Sequence, residues 1–202
     1  MKLRFSGGSP FVRKVMIVAH ETGLASRIEL LPAAVAPTLL NPEIAAENPL
    51  VKVPTLVTDD GVKLFDSPVI CEYLDSLHHG PRVFPAEGPA RWTALRLQAA
   101  ADGLMDAAIL IRYENNLRPE SHRWQEWLDG QFRKLRQTLA ALADEPLGLG
   151  HPTIGEITVG CALGYLDFRY PDEDWRAAYP KLGTWYAEIA ERPSFRATVP
   201  KG

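Results

Sequence analysis

A ten-residue break divides this 202-residue chain into two parts that obey different folding rules. From Gly80-Pro81 to Gly88-Pro89 it carries Pro81, Pro85 and Pro89 with Gly80 and Gly88, a density that interrupts helices and strands alike and reads as a linker. Strand and helix signals alternate before the break; after it the pattern is helical throughout. The expected organisation is a domain over 1–79, a linker over 80–89 and an all-helical domain over 90–202.

In the first part, Lys2 to Phe5 is a strand candidate that runs into Gly7-Gly8. Ser9-Pro10 then opens a helix, since serine caps well and proline suits the first helical position. Val12, Val15, Met16 and Ala19 form its apolar stripe, and Gly23 stops it. Ile28 to Leu31 is a second strand, Pro32 to Asn48 an irregular stretch with one helix, and Val53 to Val57 a third strand. Asp60-Gly61 turns the chain into a fourth strand over Val62 to Phe65. Ser67-Pro68 repeats the cap-plus-proline device, and Val69, Ile70, Tyr73, Leu74 and Leu77 mark the helix that follows. This order gives a small mixed sheet flanked by helices, so the fold class is α/β plus all-α.

In the second part the helices are expected over Arg91 to Asn115, Glu120 to Ala143 and Thr153 to Tyr170, with shorter ones around Pro180. Trp124, Leu128, Phe132, Leu135, Leu139 and Leu142 line one amphipathic face. Thr153-Ile154-Gly155-Glu156 is a capping box at the start of a nearly uncharged helix.

Charge and cysteine content narrow the function. Twenty-two basic and 25 acidic side chains give a net charge of −3, with no basic stripe for nucleic acid. No window approaches about 18 uncharged apolar residues, so no membrane span is expected. Cys71 and Cys161 stand apart from each other and from the five histidines, without metal-ligand spacing. Both fall on apolar helix positions and read as core. His78-His79 lacks a third ligand, so no metal is expected. A cytoplasmic protein with reduced thiols follows.

Four features carry chemistry. Ser9 beside two glycines at a helix start offers a hydroxyl and free amides to an anion; the same residue also serves as a plain cap. A thiolate placed there is stabilised, two pKa units requiring only about 2.7 kcal/mol. Lys52-Val53-Pro54 fits a cis peptide, which would leave the Val53 amide and carbonyl for an extended peptide ligand. Asp66-Ser67 at another helix start suits an amino-acid zwitterion, with Asp66 toward the ammonium and Ser67 toward the carboxylate. Asn48 and Lys52 reach either a ligand terminus or solvent.

Together these segments resemble the cytosolic glutathione S-transferase superfamily. The resemblance is carried by Ser9-Pro10-Phe11-Val12-Arg13-Lys14, by Asn48 through Leu56, by Phe65-Asp66-Ser67-Pro68-Val69-Ile70 and by Pro152 through Ile157. It is similar to bacterial members with the Ser-Pro-Phe-Val-Arg-Lys opening. The resemblance implies a thioredoxin-like glutathione-binding domain, an all-helical domain, a homodimer and no metal. It implies that Ser9 bonds the glutathione sulfur, Val53 before a cis Pro54 pairs with the cysteinyl backbone, Asp66 and Ser67 hold the γ-glutamyl end, and Lys52 reaches the glycyl carboxylate. Phe11 is expected to contact glutathione as well, and a small hydrophobic electrophile is expected between the domains near Phe11, Arg112 and Tyr113. Asp102, with Asp106 one turn on, is either solvated or directed across a dimer seam.

The chain departs from the family at Asp66, where many members carry Glu or Gln, and at Gly155-Glu156 of the capping box. Serine in place of cysteine at position 9 disfavours thiol–disulfide chemistry. The implied activity is transfer of glutathione to an electrophile; the alternative is a non-catalytic module of the same fold, as in elongation-factor relatives.

Overall fold

The structure, a computed structural model, describes residues 1–201. It forms two compact units. One comprises Met1–Arg91 together with the segment from Arg192 onward, and the other comprises Trp92–Glu191.

The first unit is built on a four-stranded sheet. Strands β1 (Lys2–Phe5), β2 (Glu29–Pro32), β3 (Thr55–Val57) and β4 (Lys63–Leu64) lie in the order β2-β1-β3-β4. β1 runs parallel to β2 and antiparallel to β3, and β3 is antiparallel to β4. Leu3 of β1 faces Leu56 of β3 in register, and both are fully buried. Helices α1 (Pro10–Glu21) and α3 (Ser67–Ser76) pack against each other and bury Val15, Ile17, Val18, Ile70, Cys71 and Leu74. Between β2 and β3 the Pro-rich stretch holds only a four-residue helix, α2 (Pro42–Ala45). This is the thioredoxin-like arrangement.

Two boundaries differ from the expectation. Within the Pro/Gly segment, Val83 and Phe84 are buried. The buried Asp75 carboxylate of α3 accepts hydrogen bonds from the Val83 and Phe84 amides at 2.9 and 3.3 Å, and His78 Nε2 lies 3.1 Å from it. Residues 80–89 are therefore fastened to the first unit rather than forming a loose tether. The helical domain, expected to reach residue 202, also ends earlier. Helix α9 (Pro193–Arg196) packs on α1, with the Arg13 guanidinium 5.6 Å above the Phe195 ring. Glu21 accepts from Arg192 Nε and Nη2 at 3.1 and 2.9 Å and from the Ser194 hydroxyl. Lys201 N donates to Gly7 O at 3.1 Å. A cation–π contact and an ion pair thus return α9 and its flanks to the first helix.

The second unit is helical throughout. Helix α4 (Gly88–Leu117) is followed by α5 (Gln125–Ala143), α6 (Ile154–Arg169), α7 (Trp175–Ala178) and α8 (Pro180–Ile189). α5 begins later than expected, because Glu120–His122 closes a 3₁₀ turn after Pro119. Trp124 is its N-cap and stays exposed, whereas Leu128, Leu135, Leu139 and Leu142 are buried as the stripe requires. α6 is the centre of the unit, buried from Ile157 through Leu166. Its capping box forms: Gly155 N donates to Thr153 Oγ1 at 3.2 Å, and Thr153 N donates to Glu156 Oε2 at 2.9 Å. Gly155 is required by close packing, since a Cβ there would meet Leu97 Cβ at 2.9 Å and Ala94 O at 3.0 Å. Cys71 and Cys161 are both fully buried. Among the described residues no helix is long and apolar enough to cross a membrane.

Candidate functional site

The register of the sheet gathers two of the expected elements at one end. Arg4 of β1 lies opposite Thr55 of β3 in an antiparallel pair. The exit of β1 toward Ser9 and the entry of β3 from Val53 therefore lie at the same end of the sheet.

At that exit, Ser9 caps α1 as expected, with Val12 N donating to Ser9 Oγ at 3.3 Å. Acceptance by the oxygen leaves the hydroxyl hydrogen available to donate. The first turn of α1 carries no acidic residue, so the positive end of the helix is not offset by its own side chains. Two residues on, Phe11 is half-buried, and the buried Lys14 ammonium lies 5.7 Å from its ring centroid.

The Val53–Pro54 bond is cis, as the sequence led us to expect. Pro54 is buried, and the Val53 amide and carbonyl have no hydrogen-bond partner among the described residues. The loop before them is held from inside. Asn48 Nδ2 donates to Lys52 O at 3.3 Å and to Thr55 Oγ1 at 3.0 Å, while Asn48 Oδ1 accepts from Leu50 N at 2.9 Å. Thr55 Oγ1 donates to Lys52 O at 2.9 Å. Asn48, 1% exposed, is thus committed to the loop and not to a ligand; the Lys52 side chain is exposed. Val51, at φ 50°, makes the bend that this inward bonding needs.

At the start of α3 the cap falls one residue earlier than expected. Asp66 is the N-cap, exposed and without a side-chain bond to the helix, and Ser67 is the first helical residue, 2% exposed. The Phe65–Asp66 bond is also cis. With no acid in the first turn and no side-chain cap, the leading amides of α3 are open to a ligand carboxylate.

In the helical unit, Arg112 and Tyr113 of α4 are half-buried. Sequence reading missed their company: Tyr165 and Arg169 of α6, and Tyr170 just beyond. Burial pushes the Tyr113 and Tyr165 phenols above their ordinary range, with Arg112 partly opposing it. Burial likewise raises Tyr170, whose hydroxyl donates to Ala108 O. Burial, then the charge of Arg112, draws the Arg169 guanidinium down, while Tyr165 bonds to it. The available signal was the four-residue spacing of Tyr165 and Arg169, which puts them on one face where the apolar run of α6 ends. Phe11, grouped with Arg112 and Tyr113 in the sequence reading, belongs to the first unit.

Two open clefts lie elsewhere. One, of ≈ 580 Å³, has Met1, Arg27 and Asp59 on its wall, and the other, of ≈ 570 Å³, has Phe132 and Arg136. In the first, the N-terminal ammonium lies 2.6 Å and the Arg27 guanidinium 3.3 Å from the Asp59 carboxylate. Among the described residues no cluster of three metal-ligating side chains occurs.

Family models agree with the geometry. The glutathione S-transferase N-terminal domain matches residues 8–77, and the glutathione S-transferase C-terminal domain matches residues 125–188. The GST-like protein YibF of Escherichia coli (strain K12) is 34% identical over 99% of this chain and 98% of its own length.

The chain belongs to the glutathione S-transferase family.

Among solved glutathione S-transferase structures, a family member from Pseudomonas fluorescens Pf-5 with bound glutathione is 46% identical, with a TM-score of 0.96 over 100% of this chain and 99% of that one. The same protein with bound S-(propanoic acid)-glutathione gives a TM-score of 0.92 over 100% of both chains. A glutathione S-transferase from Methylobacillus flagellatus with glutathione bound is 35% identical, with a TM-score of 0.86 over 99% of each chain.

Proposed function

We propose that this chain binds glutathione as its thiolate and transfers it to a small electrophile. One observation carries the reading. Three groups suited to a short peptide are left without internal partners in one unit: the Ser9 hydroxyl hydrogen, the Val53 amide and carbonyl, and the open first turn of α3. The glutathione-bound relatives support the ligand, and S-(propanoic acid)-glutathione, a thioether, has the form of a transfer product.

In this mechanism Ser9 Oγ–H donates to the sulfur, and the α1 helix end favours its negative charge. The Val53 amide and carbonyl pair with the cysteinyl backbone. Ser67 and the leading α3 amides hold the γ-glutamyl carboxylate, Asp66 faces its ammonium, and Lys52 meets the glycyl carboxylate. The thiol proton leaves to solvent. The thiolate forms a bond to an electrophilic carbon, and the leaving group departs with the electron pair of its own bond. Catalysis comes from thiolate fraction and proximity. The working form implied is a cytoplasmic homodimer, with electrophile detoxification as its role.

Calorimetry with glutathione tests the binding step. Wild type should bind at millimolar concentration or below, and Ser67→Ala should bind about tenfold more weakly, the loss of one hydrogen bond to a charged group. Absence of binding by wild type overturns the proposal. Turnover of a chloronitrobenzene then tests transfer, and Ser9→Ala should move the thiolate absorbance of the bound ligand to higher pH.

A further inference from the structure

Of the eight arginines of the helical unit, four pair with a carboxylate, Arg123 and Arg133 are exposed to solvent, and Arg112 and Arg169 are half-buried. Arg96 pairs with Glu145 at 2.7 Å, Arg118 with Glu114 at 2.8 Å, Arg136 with Glu173 at 2.8 Å and Arg176 with Asp167 at 2.6 Å. Arg112 and Arg169 have no carboxylate partner among the described residues, although each lies in the electrostatic field of the other. The Arg169 guanidinium carbon sits 3.8 Å from the Phe168 ring centroid, and its Nε is shielded from solvent without a hydrogen-bond partner. Two like charges held together and partly desolvated repel each other, and an unpaired donor adds a desolvation penalty. An anion placed between them removes both penalties. The surrounding phenols suit one: burial keeps Tyr113 and Tyr165 protonated, so their hydroxyls can donate.

We propose that Arg112 and Arg169, with Tyr113 and Tyr165, form a carboxylate-binding subsite in the helical unit, and that the electrophile this protein takes carries a carboxylate. Arg169 brings a guanidinium held against the Phe168 ring, and Arg112 supplies the second charge. The proposal deepens the transfer reading above and rests on it for the identity of the ligand as an electrophile; carboxylate binding itself does not require glutathione.

The test uses a matched pair, 4-chloro-3-nitrobenzoate and 4-chloro-3-nitrobenzamide, which carry the same reacting carbon with and without the charge. Calorimetric titration of the glutathione-free protein should show the benzoate binding at least about tenfold tighter than the amide, as expected for a charge-assisted contact. Arg169→Met and Arg112→Met should each erase that preference and leave amide binding unchanged, and Arg169→Lys should retain part of it. With glutathione present, the same variants should raise KM for the benzoate about tenfold and leave kcat within about twofold. Equal binding of the two probes by wild type overturns the subsite whether or not the variants fold. A preference that survives in folded Arg169→Met and Arg112→Met overturns the assignment to these residues. Failure of glutathione to bind, with the benzoate preference intact, sinks the transfer reading alone.

Discussion

The starts of α3 and α6 carry the same ingredients, a hydroxyl residue and a carboxylate, and use them in opposite ways. At α6, Thr153 comes first and Glu156 three residues later, so the hydroxyl and the carboxylate each accept from a backbone amide of the other's segment. At α3 the carboxylate comes first, as Asp66, and Ser67 is already inside the helix; Asp66 makes no bond to the helix's amides. Both ends are anchored in packed units, so the difference is not one of order. The closed end adds its hydrogen bonds to folding, while in the proposed mechanism the open end keeps them for a ligand. A helix start left uncapped forgoes about 1 kcal/mol of stability, which is small beside what a bound carboxylate can return.

The largest expected effect separates the two ends directly. Glutathione at about 100 times its Kd should raise the free energy of unfolding of wild type by about 2.7 kcal/mol. At that same concentration Ser67→Ala, binding about tenfold more weakly, should gain only about 1.4 kcal/mol. Denaturant titration with and without ligand measures both; equal gains would mean that α3 does not hold the ligand. Next, Gly155→Ala should destabilise by about 2 kcal/mol, because the added methyl drives Leu97 and the Ala94 backbone away from α6. A midpoint equal to wild type would show that α4 yields freely there. Thr153→Ala should cost about 1 kcal/mol and leave glutathione affinity untouched. The smallest effect sharpens the contrast most: without ligand, Ser67→Ala should change stability by only a few tenths of a kcal/mol, because no side chain caps α3, read by the same titration.

What could be read in advance was whatever is written within a few residues. Ser9-Pro10, Thr153 to Glu156 and Val53-Pro54 are local codes whose geometry is set by neighbours along the chain, and the structure holds each as expected. The α3 cap was placed one residue late because Ser67-Pro68 and Asp66-Ser67 both satisfy the same local rule. Asn48 was open between solvent and ligand, since nothing local shows that Thr55 waits beneath it. Val83 and Phe84 sit among prolines and glycines, and their amides are fixed by the carboxylate of Asp75, which lies outside that segment. Arg169 and Tyr170 gain their surroundings from α4, 62 residues earlier in the case of Tyr170 and Ala108, beyond the reach of periodicity.

The return of α9 to α1 also imposes an order of events during synthesis. Arg13 meets the Phe195 carbonyl across 182 positions of sequence. At about 5–20 residues per second, roughly ten to thirty-five seconds of translation separate the two partners. Once β4 has been made, the thioredoxin-like sheet lacks the segment that packs on α1 until Phe195 is made, and the whole helical unit is made before the first unit can finish. A nascent chain stalled after residue 190 should therefore present an α1 surface that the released protein hides.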